Sequence, residues 1–125
     1  MLEIHEKTDS AGYEDKTGEI ADKDFIHIVE SYDSGKVNGY GIYTMKPEEL
    51  CVYDFECSDL NVCDGIVRTV LFKGLLAGIN SCTFSIHSSE KESVLKRLGF
   101  ISDSCRIIED IGDFMGSCKN CKEMR

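Results

Sequence analysis

Seven cysteines, three histidines and 23 carboxylates are the residues of this 125-residue chain with chemistry to offer, and their spacing narrows what that chemistry could be. Cys118-Lys119-Asn120-Cys121 is the one local motif that carries chemistry on its own. Two thiolates so spaced can face one zinc ion or close a small redox disulfide across a tight turn. Lys119, Lys122 and Arg125 around them favour the thiolate form. A structural zinc site needs four ligands, so Cys63, Cys105 or a second copy of the chain would have to contribute, and an exposed pair with neither role is the plain alternative. Asp54 and Glu56 stand in an alternating apolar run, and His87 ends another, which makes these three the candidate proton acceptors. Outward, solvated placement is the competing explanation for each. His5 and His27 have no recognisable partner in sequence.

The composition limits what these residues can serve. Fourteen Lys and Arg against 23 Asp and Glu give a net charge of −9, which opposes attraction to nucleic acid or an anionic membrane. No apolar run approaches the roughly 18 residues of a membrane span. The length suits one domain over 1–125, divided into an acidic segment 1–24, a body 25–112 and a cysteine-containing tail 113–125. Residues 1–35 hold ten acids against three bases, either a solvated face or a docking surface for a basic protein partner. An odd cysteine count, behind an N-terminus of Met1-Leu2-Glu3-Ile4-His5-Glu6, does not read as a secreted disulfide framework. A reducing cytoplasm is expected, with Cys51, Cys57 and Cys82 behaving as small buried hydrophobes.

The elements that must position these residues follow from periodicity. Residues 8–24 are polar, carry two glycines and read as a loop with at most a short helix. Phe25–Tyr32, Gly39–Met45 and Leu50–Cys57 are rich in β-branched and aromatic residues, with turn chemistry at Asp33-Ser34-Gly35-Lys36 and at the sole proline, Pro47. They make an antiparallel meander, and Leu2–Lys7 is a further candidate strand. Leucine-50 parity would put Asp54 and Glu56 on one face with Leu50 and Val52. Gly65–Ile79 has helical period, with Val67, Val70, Leu71 and Leu75 on one side and Asp64 as its N-cap. Cys82–His87 alternates as a strand. Ser89-Glu90-Lys91-Glu92 fits a capping box for a helix that bears Val94, Leu95 and Leu98 and ends at Gly99. Cys105–Glu109 is a last strand. The order, β-β-β-α-β-α-β, implies an α/β (α+β) domain with two helices packed on a mixed sheet and a C-terminal strand or hairpin.

That order, together with Val94-Leu95-Lys96-Arg97-Leu98-Gly99-Phe100, resembles the GNAT N-acetyltransferase family over about residues 25–112. The resemblance implies a CoA-dependent N-acyltransferase acting on a small-molecule or protein acceptor. Its cofactor, acetyl-CoA or another acyl-CoA, would lie against Phe55 and Cys57 and the helix start at Cys63, Asp64, Gly65, Ile66 and Val67. The family signature Q/R-x-x-G-x-G/A falls on Val62, Gly65 and Val67, so one of its three positions is kept. Glycines there let phosphate oxygens approach backbone N–H groups at the positive end of a helix. Val67 would direct a branched side chain towards the phosphates, and Asp64 would add negative charge. The family's general-acid tyrosine corresponds to Leu95 and its asparagine to Ser88. Glu56 or His87 would act as general base towards an amine. A non-catalytic binding or assembly module of the same fold, metal-linked through Cys118 and Cys121 or paired as a homodimer, is the alternative.

Overall fold

The structure, a computed structural model, describes residues 2–7, 12–18, 20, 25–57 and 59–116. Cys118 and Cys121 lie outside the described residues. Strands β1 (Leu2–Lys7), β2 (Ile26–Asp33), β3 (Lys36–Lys46) and β4 (Glu49–Cys57) pair antiparallel in chain order. One turn of helix, α1 (Glu14–Thr17), lies between β1 and β2, in keeping with the polar sequence there. Helix α2 (Leu60–Leu76) then crosses to β5 (Cys82–Phe84), which pairs parallel to β4. Helix α3 (Ser89–Leu98), the short β6 (Ile107–Ile108) and α4 (Ile111–Gly116) complete a six-stranded sheet of order β1-β2-β3-β4-β5-β6.

Helix α2 begins five residues before the position expected from its apolar period. Its N-cap is Asp59, whose carboxylate accepts the Val62 N–H at 2.9 Å, and not Asp64. Leu60, Val62, Cys63 and Ile66 extend the apolar side upstream. Val62, Ile66, Val67, Val70 and Leu71 pack in one cluster with Val29, Tyr43, Leu50, Val52 and Phe55 of the sheet. The helix seats closely because Gly41 has no side chain: a Cβ there would stand 2.7 Å from Ile66 Cγ2. Truncating a fully buried member such as Leu71 or Leu95 costs about 2–5 kcal/mol.

Helix α3 has the expected bounds, but Ser88 caps it by accepting the Lys91 N–H, rather than Ser89 in a capping box. Gly99 ends it at φ 88°, a left-handed conformation that a Cβ would strain. Strand β5 stops at Phe84, three residues short of the alternating run, although Cys82, Phe84 and Ile86 still turn inward. The expected strand Cys105–Glu109 shrinks to two residues. Helix α4, unforeseen, is tied down where Asp110 accepts the Asp113 N–H at 2.8 Å and Asn80 accepts the Gly112 N–H at 2.8 Å.

The opposite face of the sheet has its own smaller cluster of Ile20, Ile28, Tyr40 and Ile42, joined by Tyr13, Ile26 and Tyr53. No described helix is long and apolar enough to cross a membrane.

Candidate functional site

Strand β4 holds the feature from which a site can be built. Ile42 of β3 opposes Asp54, while the next residue, Tyr43, opposes Val52, so Tyr53 is an extra residue, a β-bulge. A bulge bends its strand and increases the local twist. Pairing between β4 and β5 ends at the same place, with Val52 opposite Phe84 and a last bond from the Ser85 N–H to the Val52 carbonyl at 2.8 Å. Beyond it the two parallel strands part.

The bulge also reverses the alternation. Leu50, Val52 and Phe55 face α2, so Asp54 and Glu56 do not share their face, as unbroken alternation had led us to expect. Both carboxylates turn instead to the face that carries Tyr40 and Tyr53. Asp54 is the centre of a network there: Tyr40 donates to its Oδ2 at 3.0 Å, Lys91 Nζ of α3 to its Oδ1 at 2.5 Å, and the Phe55 N–H to Oδ1 at 2.9 Å. A second network lies beside it. Glu30, only 8% exposed, accepts from Tyr13 at 2.5 Å and from Tyr32 at 2.8 Å, and the rings of Tyr13 and Tyr40 meet at 5.1 Å. Burial, with Asp54 beside it, raises the Tyr40 hydroxyl above its ordinary pKa. Burial and the bond to Glu30 do the same to Tyr13. Both stay protonated as donors.

Between the parted strands is a cavity of about 320 Å³, lined by Tyr53, Asp54, Ile86 and His87 and closed by Lys16 and Ile20. His87 and Asp54 are thus brought together. Glu56, exposed, lines a different depression of about 480 Å³ beside Tyr40 and Cys57. Another cavity, of about 720 Å³, includes neither; it is lined from Arg68 to Phe114, with Glu109, Asp110 and Asp113 among its residues.

The residues aligned with the acyl-CoA signature have other employments. Val62, Gly65 and Val67 all lie inside α2, past its first residue. Val67 is 1% exposed and points into the core, not towards any phosphate. A Cβ on Gly65 would stand 3.3 Å from Ile4 Cδ1, so its missing side chain accommodates β1. Asp64 is half-buried in a bidentate pair with Arg68 Nε at 2.9 and 3.1 Å. Ile66 is in the core. Cys57, expected as a small buried hydrophobe, and Cys63, a candidate zinc ligand and cofactor contact, form a disulfide between the end of β4 and the first turns of α2, with Cα atoms 5.4 Å apart. Leu95, at the general-acid position, is wholly buried and has no proton to give.

Two tests of fit follow for an acyl-CoA. The parted strands fit the acylated end: they offer an unpaired strand edge, a cavity and polar groups. The start of α2 does not fit a diphosphate, because the Asp59 carboxylate already occupies it. For zinc, no group of three or more His, Cys, Asp or Glu among the described residues could hold a metal ion. Sequence reasoning missed Asp59, Tyr13, Glu30 and Lys91; Asp59 was legible as an Asx residue just before an apolar helical run.

No protein-family model matches the sequence, and no curated protein matches it. Solved structures do match. An alanine N-acetyltransferase for ribosomal protein from Brucella melitensis biovar Abortus 2308 superposes with a TM-score of 0.61 at 6% identity, covering 82% of this chain and 94% of the other. An acetyltransferase assigned to the GNAT family, from Desulfovibrio desulfuricans, gives 0.58 at 12% identity over 79% and 84%. The structure of AAC(6')-Iy in complex with the bisubstrate analogue CoA-S-monomethyl-acetylneamine gives 0.61 at 12% identity over 86% and 95%.

Proposed function

We propose, from the GNAT-like fold of this chain, that the protein is an N-acyltransferase that takes an acyl thioester of the CoA class in the gap between β4 and β5 and passes the acyl group to an amine. The observation that carries the reading is the coincidence of the Tyr53 bulge with the end of β4–β5 pairing, which opens the 320 Å³ cavity beside Asp54 and His87. Supporting it is the similar fold of a structure that contains a CoA analogue. The thioester supplies the acyl carbon and the leaving thiol.

The chain's residues do the rest. A thioester carbonyl entering the gap competes for the Phe55 N–H, which Asp54 Oδ1 otherwise accepts. Asp54, still held by Tyr40 and Lys91, presents a negative charge to the incoming amine. His87 takes the amine proton as the C–N bond forms, and returns it to the thiolate as the C–S bond breaks. Glu56, in the neighbouring depression, has no part in this scheme.

A second reading is favoured by one observation: buried Leu95 stands where the family's acid would be. It is a module that binds an acyl thioester without turnover. Thiol release from acetyl-CoA, followed with a chromogenic thiol reagent across a panel of primary amines and polyamines, separates the two. Amine-dependent release that His87→Ala abolishes supports the enzyme; binding without release selects the module. The absence of both at millimolar ligand would sink either reading.

A further inference from the structure

We infer that this chain recognises its acyl donor by the pantetheine arm alone, and that Asp59 turns a diphosphate away from the start of α2. The inference rests on the donor reading above and narrows it to a substrate class: acyl thioesters whose nucleotide end contributes no binding.

Holding a diphosphate at a helix start needs unpaired N–H groups, a positive local field and a segment free to wrap the phosphates. Each is spent here. The Val62 N–H, one of the first-turn groups without an intrahelical acceptor, goes to Asp59 Oδ1 at 2.9 Å. The Asp59 carboxylate is itself an anion at the positive end of the helix, so a second anion there meets repulsion instead of a dipole. The two cations of α2 are committed elsewhere. Arg68 holds Asp64, with its guanidinium 5.5 and 5.7 Å from the rings of Phe100 and Phe114, and Lys73 Nζ is 3.8 Å from Glu6. Cys57 is joined to Cys63, which ties the last residue of β4 to α2 and leaves only residues 58 and 59 between the two elements. The donor's arm and acyl group meet a different surface, the edge that β4 leaves unpaired from Asp54 onward once its pairing with β5 has ended at Val52.

Calorimetric titration of the full-length protein with S-acetylpantetheine and with acetyl-CoA tests this, on the wild type and on Asp59→Asn. Asparagine caps a helix as well as aspartate does, so the variant keeps its fold, checked by thermal unfolding, and loses only the charge. The two ligands are expected to bind wild type with affinities within about threefold of each other, and Asp59→Asn to improve acetyl-CoA about fivefold or more while leaving S-acetylpantetheine unchanged. Acetyl-CoA binding wild type tenfold or more above S-acetylpantetheine would overturn the inference and leave the acyltransferase reading standing. Failure of both ligands to bind at millimolar concentration would overturn the two together.

Discussion

Asp54 and Lys91 form an ion pair of 2.5 Å that links β4 to α3 beside the point where β4 and β5 part. Both side chains are about one-quarter exposed, at 24% each, and the same carboxylate also accepts from Tyr40 and from the Phe55 N–H. A double-mutant cycle of Lys91→Ala and Asp54→Asn, read by urea unfolding, is expected to give a coupling of about 1 kcal/mol. In the acyl-transfer assay Lys91→Ala should lower the KM for a cationic amine about threefold, since Asp54 then lacks its cation, and Asp54→Asn should raise it. Equal effects of the two variants on KM would contradict the role given to Asp54.

Glycines 41 and 65 have different expected costs. Gly41→Ala pushes a Cβ to 2.7 Å from Ile66 Cγ2, a β-branched side chain in the middle of the core, and should destabilise by about 1–3 kcal/mol. Gly65→Ala meets the end of Ile4 at 3.3 Å, which can shift, and gains nearly 1 kcal/mol of helix propensity. Its stability and its affinity for acetyl-CoA should stay near wild type. A tenfold loss of affinity would mean that Gly65 touches the ligand after all.

The disulfide between Cys57 and Cys63 closes a short loop, and its reduction is expected to cost about 2 kcal/mol. Calorimetry with and without a phosphine reductant measures this, and Cys57→Ser with Cys63→Ser should remove the difference. Unfolded, unreduced protein should titrate at most five of the seven thiols in the sequence.

Stability should fall in alkali. Tyr13, Tyr40 and Tyr43 are held above the ordinary value of 10.0, by burial first and by the carboxylates of Glu30, Asp54 and Glu6 beside them. The folded state therefore binds these protons more tightly than the unfolded one. Their contribution is complete below pH 10 and is lost as the pH climbs above it, where the unfolded chain sheds protons first. Absorbance at 295 nm should show part of the tyrosine ionising only with unfolding. Free titration of all five tyrosines near pH 10 would contradict the buried networks.

The meander, the two main helices and the resemblance they suggested were legible because each rests on a local period that burial preserves. The misreadings share a cause in tertiary contact. A period-two pattern cannot register an inserted residue, so Asp54 and Glu56 were assigned to the face of Leu50, and the bulge at Tyr53 put them on the other. Alternation continues from Cys82 to His87, yet the strand ends where its partner bends away. Gly65 looked like a helix start; its actual task is to let Ile4 approach, which no local rule announces. Cys57 and Cys63 are six positions apart on different elements, and only the sharp passage from β4 into α2 brings them together.

The most direct test of the donor site is a nitrogen-15 amide titration with S-acetylpantetheine. The largest shifts are expected at Asp54 and Phe55 of β4 and at Ser85 to Ser88 beyond β5, with Asp59 to Cys63 little affected. Shifts confined to the cavity around Arg68, Phe100 and Phe114, or no shifts at saturating ligand, would contradict the placement of the acyl donor between the parted strands.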